Sequence, residues 1–168
     1  IFYLLTVEGR FVRWNEGLEA VSGYTGEEIA GLHASDFFTG EEKELIRQRI
    51  AAVFAEGVSD AEAHFTAKDG TRTPYYFTGR RVLLDGRPHL VGMGLDIGAR
   101  KRAEKALRDL AQAVNTAGDV VFLTDKEGII TQINEKFTAL YGYSAEDVVG
   151  KVTPRIFKSG RHPEGFYR

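Results

Sequence analysis

An internal repeat constrains this chain more than any other feature. Sliding the sequence against itself by 119 residues aligns Ile1–Phe38 with Val120–Phe157 without a gap. Eleven of the 38 pairs are identical, among them Gly9/Gly128, Asn15/Asn134, Gly23/Gly142, Tyr24/Tyr143 and Gly31/Gly150. Solenoid units run about 20–50 residues, so so long an offset marks a duplicated domain. The second copy ends at Arg168, and the expectation is that it is the N-terminal half of a domain whose full form comes first.

Both copies read alike locally. An apolar, β-rich run (Phe2–Leu5, or Val120–Leu123) meets a turn ending in Gly9 or Gly128, and a second short strand follows over Phe11–Trp14 or Ile129–Ile133. Asn15 and Asn134 stand where the chain leaves the strand for a helix, a usual capping position. Thr25-x-x-Glu28 and Ser144-x-x-Asp147 then carry the capping-box pattern.

The first copy continues with a third such pattern, Thr39-x-x-Glu42. It opens a long helix over 41–56, with Leu45, Ile46, Ile50, Val53 and Phe54 at helical spacing and Gly57 placed to end it. The period then changes to strands. Asp69-Gly70 and Asp85-Gly86 are hairpin signals separating β-rich segments near 59–68, 73–84 and 87–97. Two strands, several short helices and three antiparallel strands make an α+β fold, with helices on one face of a five-stranded sheet.

Composition closes off several functions. A net charge of −2 gives no basis for nucleic-acid binding, and the absence of cysteine excludes disulfides and thiolate chemistry. No apolar run approaches the roughly 20 residues a membrane helix needs. A cytoplasmic location is therefore expected, although the chain begins at Ile1 rather than Met. Enzyme motifs fail on inspection. Gly92-x-Gly94-x-x-x-Gly98 misses the dinucleotide spacing by one residue, Gly150-Lys151 is followed by Val152 rather than Ser or Thr, and no serine sits in Gly-x-Ser-x-Gly. No catalytic residue is expected.

Several segments taken in order resemble the PAS family. They are Asn15-Glu16 followed by Gly23-Tyr24-x-x-Glu27-Glu28-Ile29-x-Gly31, its repeat over 134–150, the turns Lys68-Asp69-Gly70-Thr71 and Asp85-Gly86-Arg87-Pro88, and Gly92-x-Gly94-x-Asp96-Ile97 followed by Arg100-Lys101-Arg102-Ala103-Glu104. The last segment is similar to the PAS exit motif, Asp-Ile-Thr before a charged helix, with Gly98 where the threonine stands. Lys158–His162 is similar to the approach to the long helix in tandem PAS proteins. The resemblance implies a complete PAS domain over 1–98, a helical signalling linker over 99–113 and half of a second PAS domain over 114–168. It also implies a ligand-sized cavity under the sheet, and a signal leaving by the C-terminal helix toward a histidine kinase or cyclic-dinucleotide enzyme of a bacterial signalling protein.

Within that frame the expected ligand pocket comprises Ile46, Ile50, Phe54 and Phe65, with Gly92 and Gly94 leaving either room for a ligand or a crowded strand. Asp96, Leu107 and Leu110 are the expected output residues. Ala103, Leu107, Leu110 and Val114 recur at 4-3-4 spacing, which suits a homodimer through the linker helix. Without cysteine, neither a flavin–cysteine adduct nor a thioester-linked chromophore is available. Haem is disfavoured because the long helix carries no histidine, and His33 reads as a surface or capping residue. Four scattered histidines give no metal site. Non-covalent flavin leaves no short motif to test, so the cofactor is unknown. The leading function is a small-molecule sensor. The alternatives are a ligand-free module for dimerisation and relay, and a non-covalent flavin or haem sensor of redox state or gas.

Overall fold

A computed structural model describes residues 1–116 and 118–157. The backbone divides into two compact units, Ile1–Arg102 and Ala103–Arg168.

In the first unit the sequence order becomes β1 (Phe2–Leu5), β2 (Phe11–Trp14), α1 (Glu16–Ser22), α2 (Gly26–Gly31), a 3-10 turn (Ala34–Phe37), α3 (Gly40–Glu56), β3 (Val58–Thr66), β4 (Arg72–Leu84) and β5 (Arg87–Asp96). The strands form one sheet in the order β2-β1-β5-β4-β3, antiparallel throughout. Strand alternation sends Tyr3, Leu5, Ala61, Ala63, Phe65, Tyr75, Phe77 and Leu90 to one face, where α3 and the short helices cover them. Leu84 pairs with Arg87, so Asp85-Gly86 is a two-residue hairpin loop. Both loop residues have positive φ, 50° and 75°, which a right-twisted hairpin requires and which Asp and Gly tolerate.

Two capping expectations need correction. Thr39 precedes α3 but makes no side-chain cap bond, and the Glu42 carboxylate turns toward the sheet edge, to His64 and Arg72. Asn15 caps nothing either; its Oδ1 accepts from the Phe2 N–H at 3.0 Å and ties the end of β2 to the start of β1. At Thr25 and Ser144 the reciprocal boxes do form.

Helix α4 spans Gly98–Thr116. The second unit holds β6 (Phe122–Thr124), β7 (Ile130–Ile133), α5 (Glu135–Tyr141), α6 (Ala145–Val148) and a 3-10 turn (Pro154–Phe157). Its core is Ile130, Phe137 and Val148, with Phe157 against Phe137 at 5.1 Å between ring centres. Among the described residues β6 pairs with β7 alone. Lys158–His162 lie outside the described residues.

Candidate functional site: an apolar cavity and the strand beside it

The first unit holds a cavity of about 60 Å³ between α3 and the sheet. Helical spacing puts Ile46, Ile50 and Val53 in its roof. The sheet supplies Tyr3, Leu5, Ala61, Phe65, Phe77, Gly79 and Leu90, and the 3-10 turn with the residue that follows it supplies Ala34, Phe37 and Phe38. Aromatic packing occupies much of the interior. Phe37 stacks on Phe65 with 4.8 Å between centres, and Phe38 meets Phe77 edge-on at 5.3 Å. Polar groups are confined to Arg49, Ser59, Asp60 and Thr78 and to the Tyr3 phenol, which burial pushes well above its ordinary pKa. Such a lining stabilises carbon over most of its surface and leaves Arg49 and Asp60 as its charged groups. Ordinary ligand pockets span roughly 300–1,000 Å³, so this space fits only a few heavy atoms unless the walls part.

Of the expected pocket residues, Ile46, Ile50 and Phe65 stand in the wall. Phe54 does not; it packs outside, against the cluster of Leu5, Ala34, Val53 and Leu90. Gly92 and Gly94 leave no room for a ligand. A Cβ on Gly92 would lie 2.4 Å from the Tyr3 ring, and one on Gly94 would lie 2.7 Å from Phe77 and 2.9 Å from Ile1. The crowded-strand alternative is what the geometry presents. Gly79 is the glycine that borders the cavity, 3.1 Å from Val53 by the same measure. Its signal was available, since a glycine within a strand marks close approach.

The three described histidines stand apart from the cavity. His33 caps the 3-10 turn, His64 faces outward to Glu42 at 2.8 Å, and His89 lies by the Arg87 carbonyl at 3.1 Å. Among the described residues no group of three His, Cys, Asp or Glu side chains could hold a metal. A haem or flavin would require the walls to separate.

Two strand positions past Gly94, Asp96 accepts the Gly98 N–H at 2.7 Å and so fixes the start of α4. Gly98 has a use in place of the family's threonine. A Cβ there would crowd Asp96 Oδ1 at 3.0 Å and the Arg102 guanidinium at 3.2 Å. The basic cluster is partly engaged, with Lys101 and Arg100 reaching Glu62 on β3 at 2.5 and 2.7 Å. Sequence reasoning missed Glu62, because nothing local marks an outward-facing strand carboxylate as a partner 38 residues away. Leu107 and Leu110 are 69% and 62% exposed on α4.

A five-stranded antiparallel sheet with short helices and one long helix on one face is what the resemblance implied, while the cavity is smaller than the ligand-sized one it implied. The "PAS domain" family model matches residues 1–98 and the "PAS fold" model matches 108–158. The chain belongs to the PAS family. It is 31% identical over 86 residues to the "methyl sulfide methyltransferase-associated sensor" of Methanosarcina acetivorans, a match covering 51% of this chain but 9% of that protein. Among solved structures, the PAS domain of a Desulfitobacterium hafniense protein superposes with a TM-score of 0.51 at 21% identity, over 56% of this chain and 90% of that one. A PAS domain from Colwellia psychrerythraea gives 0.53 at 22%, over 59% and 86%. At these identities the structures speak for the PAS fold alone. Among the described residues no helix is long and apolar enough to cross a membrane.

Proposed function

We propose that the chain is a sensory region. The PAS domain over 1–98 takes a small, uncharged organic molecule into its cavity. The change passes through α4 to an output domain, a histidine kinase or cyclic-dinucleotide enzyme. One observation carries this reading. Tyr3 and Phe77 line the cavity, and the same two rings fill the spaces beside Gly92 and Gly94 on β5. Displacing either ring by an ångström presses on β5 just before Asp96 and the start of α4. The relative named as a sensor supports the role. A homodimer through Leu107 and Leu110, the half-domain reading of 114–168 and a cytoplasmic location belong to the same proposal, as does the absence of catalysis within the fragment.

The modest cavity favours a second reading, a ligand-free PAS domain used for dimerisation and relay. Methyl NMR under xenon, and separately with benzene, distinguishes the two. The sensor reading expects saturable shifts at Ile46 and Ile50 that extend to the Leu95 and Ala103 amides. Unmoved Ile46 and Ile50 methyls would favour the ligand-free reading. A visible absorption band in the purified protein would instead point to a bound flavin or haem.

A further inference from the structure

The His33 imidazole has a task in the fold. The Ser35 N–H donates to Nδ1 at 3.0 Å, so Nδ1 carries a lone pair and the ring proton sits on Nε2. The ring lies against Gly9, where a Cβ would come 2.4 Å from Nε2. Main-chain bonds hold the same place, with Arg10 bridging to His33 and the Ala34 N–H donating to the Gly9 carbonyl at 2.9 Å. The reciprocal half of the cap is the His33 N–H donating to Asp36 Oδ2 at 2.9 Å.

The turn so capped is a part of the cavity wall without α- or β-structure. It carries Ala34, Phe37 and Phe38 into the wall, and its Ser35 is fully buried. A His N-cap differs from the usual Ser or Asp in one respect: its acceptor disappears when it takes a proton near neutral pH.

We propose that His33 is a proton-operated latch on the cavity wall. A proton taken from water at Nδ1 turns the acceptor into a donor facing the Ser35 N–H, so the turn is released and Phe37 and Phe38 move. The surroundings are mixed in charge. Asp36 stands on the same turn, Arg10 and Glu8 on the β1–β2 turn, and Arg47 and Lys43 on α3, with Lys43 bound to Asp36 at 2.9 Å. Burial holds the imidazolium below its ordinary value of 6.5; Asp36 opposes this, while Arg47 and Arg10 reinforce it. The latch therefore stays closed at neutral pH and opens in mild acid.

The latch is measurable without any ligand, so the sensor reading can fail while the latch stands, and the reverse. The experiment is ¹H, ¹³C and ¹⁵N NMR of the whole chain between about pH 5 and pH 8, on wild type and His33→Asn, whose amide oxygen can cap but takes no proton in this range. The expected wild-type result is an Nε2–H tautomer at high pH. On acidification Ser35 amide protection, corrected for intrinsic exchange, falls about tenfold, as for one lost hydrogen bond. The Phe37 and Phe38 ring signals shift with the same midpoint as the His33 ring nitrogens, and His33→Asn is flat. Unchanged Ser35 protection, or the same change in His33→Asn, overturns the proposal. If His33→Asn does not fold, the wild-type spectra decide, since midpoints that differ between the His33 ring and the Ser35 amide also overturn it.

Discussion

The Tyr3 ring lies where a side chain on Gly92 would be, 2.4 Å from its ideal Cβ, in directly paired positions of β1 and β5. Gly92 has no left-handed backbone angle, so the glycine is required by crowding alone. Gly92→Ala is expected to destabilise the first domain by about 1–3 kcal/mol, the usual range for overpacking. Adding Tyr3→Leu should recover part of that loss. Urea unfolding of the two single variants and the double variant measures it, and strict additivity would show that the contact is not the cause.

Ile46 is 6% exposed and lines both the core and the cavity. Ile46→Ala should cost about 2–5 kcal/mol, because the cavity already present limits how far the walls can collapse onto the gap. Chemical denaturation measures the loss, and a cost under 1 kcal/mol would mean that the roof of the cavity rearranges.

The two repeat asparagines predict unequal costs. Asn134 is 2% exposed; its Oδ1 accepts from the Val121 and Phe137 N–H groups, and its Nδ2 donates to the Val114 and Asp119 carbonyls. Asn15 is exposed, with the Phe2 N–H as its bond. Asn134→Ala should therefore lose roughly 2–4 kcal/mol in the second unit and Asn15→Ala about 1 kcal/mol in the first. Thermal unfolding of each variant checks the order.

Glu42 ties α3 to the sheet edge through the His64 side chain and N–H and through Arg72 at 2.6 Å. Burial tends to raise its carboxyl, but hydrogen bonds and charge from His64 and Arg72 outweigh it and hold the carboxyl below its ordinary 4.5. Because the folded-state value is depressed, the stabilisation is fully present above pH 4.5 and is lost as pH falls through the folded value. Glu42→Gln should cost no more than about 1 kcal/mol at pH 7, since the pair is partly solvated. It should also flatten the acid limb of the stability–pH curve, and an unchanged limb would exclude Glu42 as a contributor.

Leu107→Glu and Leu110→Glu test the pairing of α4. Sedimentation of the wild type beside both variants should show a dimer that each substitution weakens. A wild type that is monomeric at high concentration would make the helix a spacer. Asp96→Ala should cost about 1 kcal/mol at the start of α4, as for other N-terminal caps, and reduce signal transfer more than folding.

The sequence by itself determined the α+β order, the duplicated half, the Asp85-Gly86 hairpin and the extent of α3. These follow from short-range causes: alternation, helical period, positive-φ residues and capping pairs within a few positions. Tertiary structure decided what those signals could not carry. Glu42 matched a capping box by spacing, yet the edge-strand N–H of His64 and the Arg72 guanidinium offered its carboxylate stronger partners from 22 and 30 residues away. Gly92 and Gly94 marked close approach, but only the pairing of β1 with β5 and of β5 with β4 shows that Tyr3 and Phe77 fill those spaces. Phe54 follows Val53 on the same helix, and a rotation of one residue puts Val53 in the cavity roof and Phe54 outside it. Asn15 and Asn134 are the same residue in the same local pattern. One is exposed and the other buried, because a side chain's partners are set by what packs over it and not by its own neighbours in sequence.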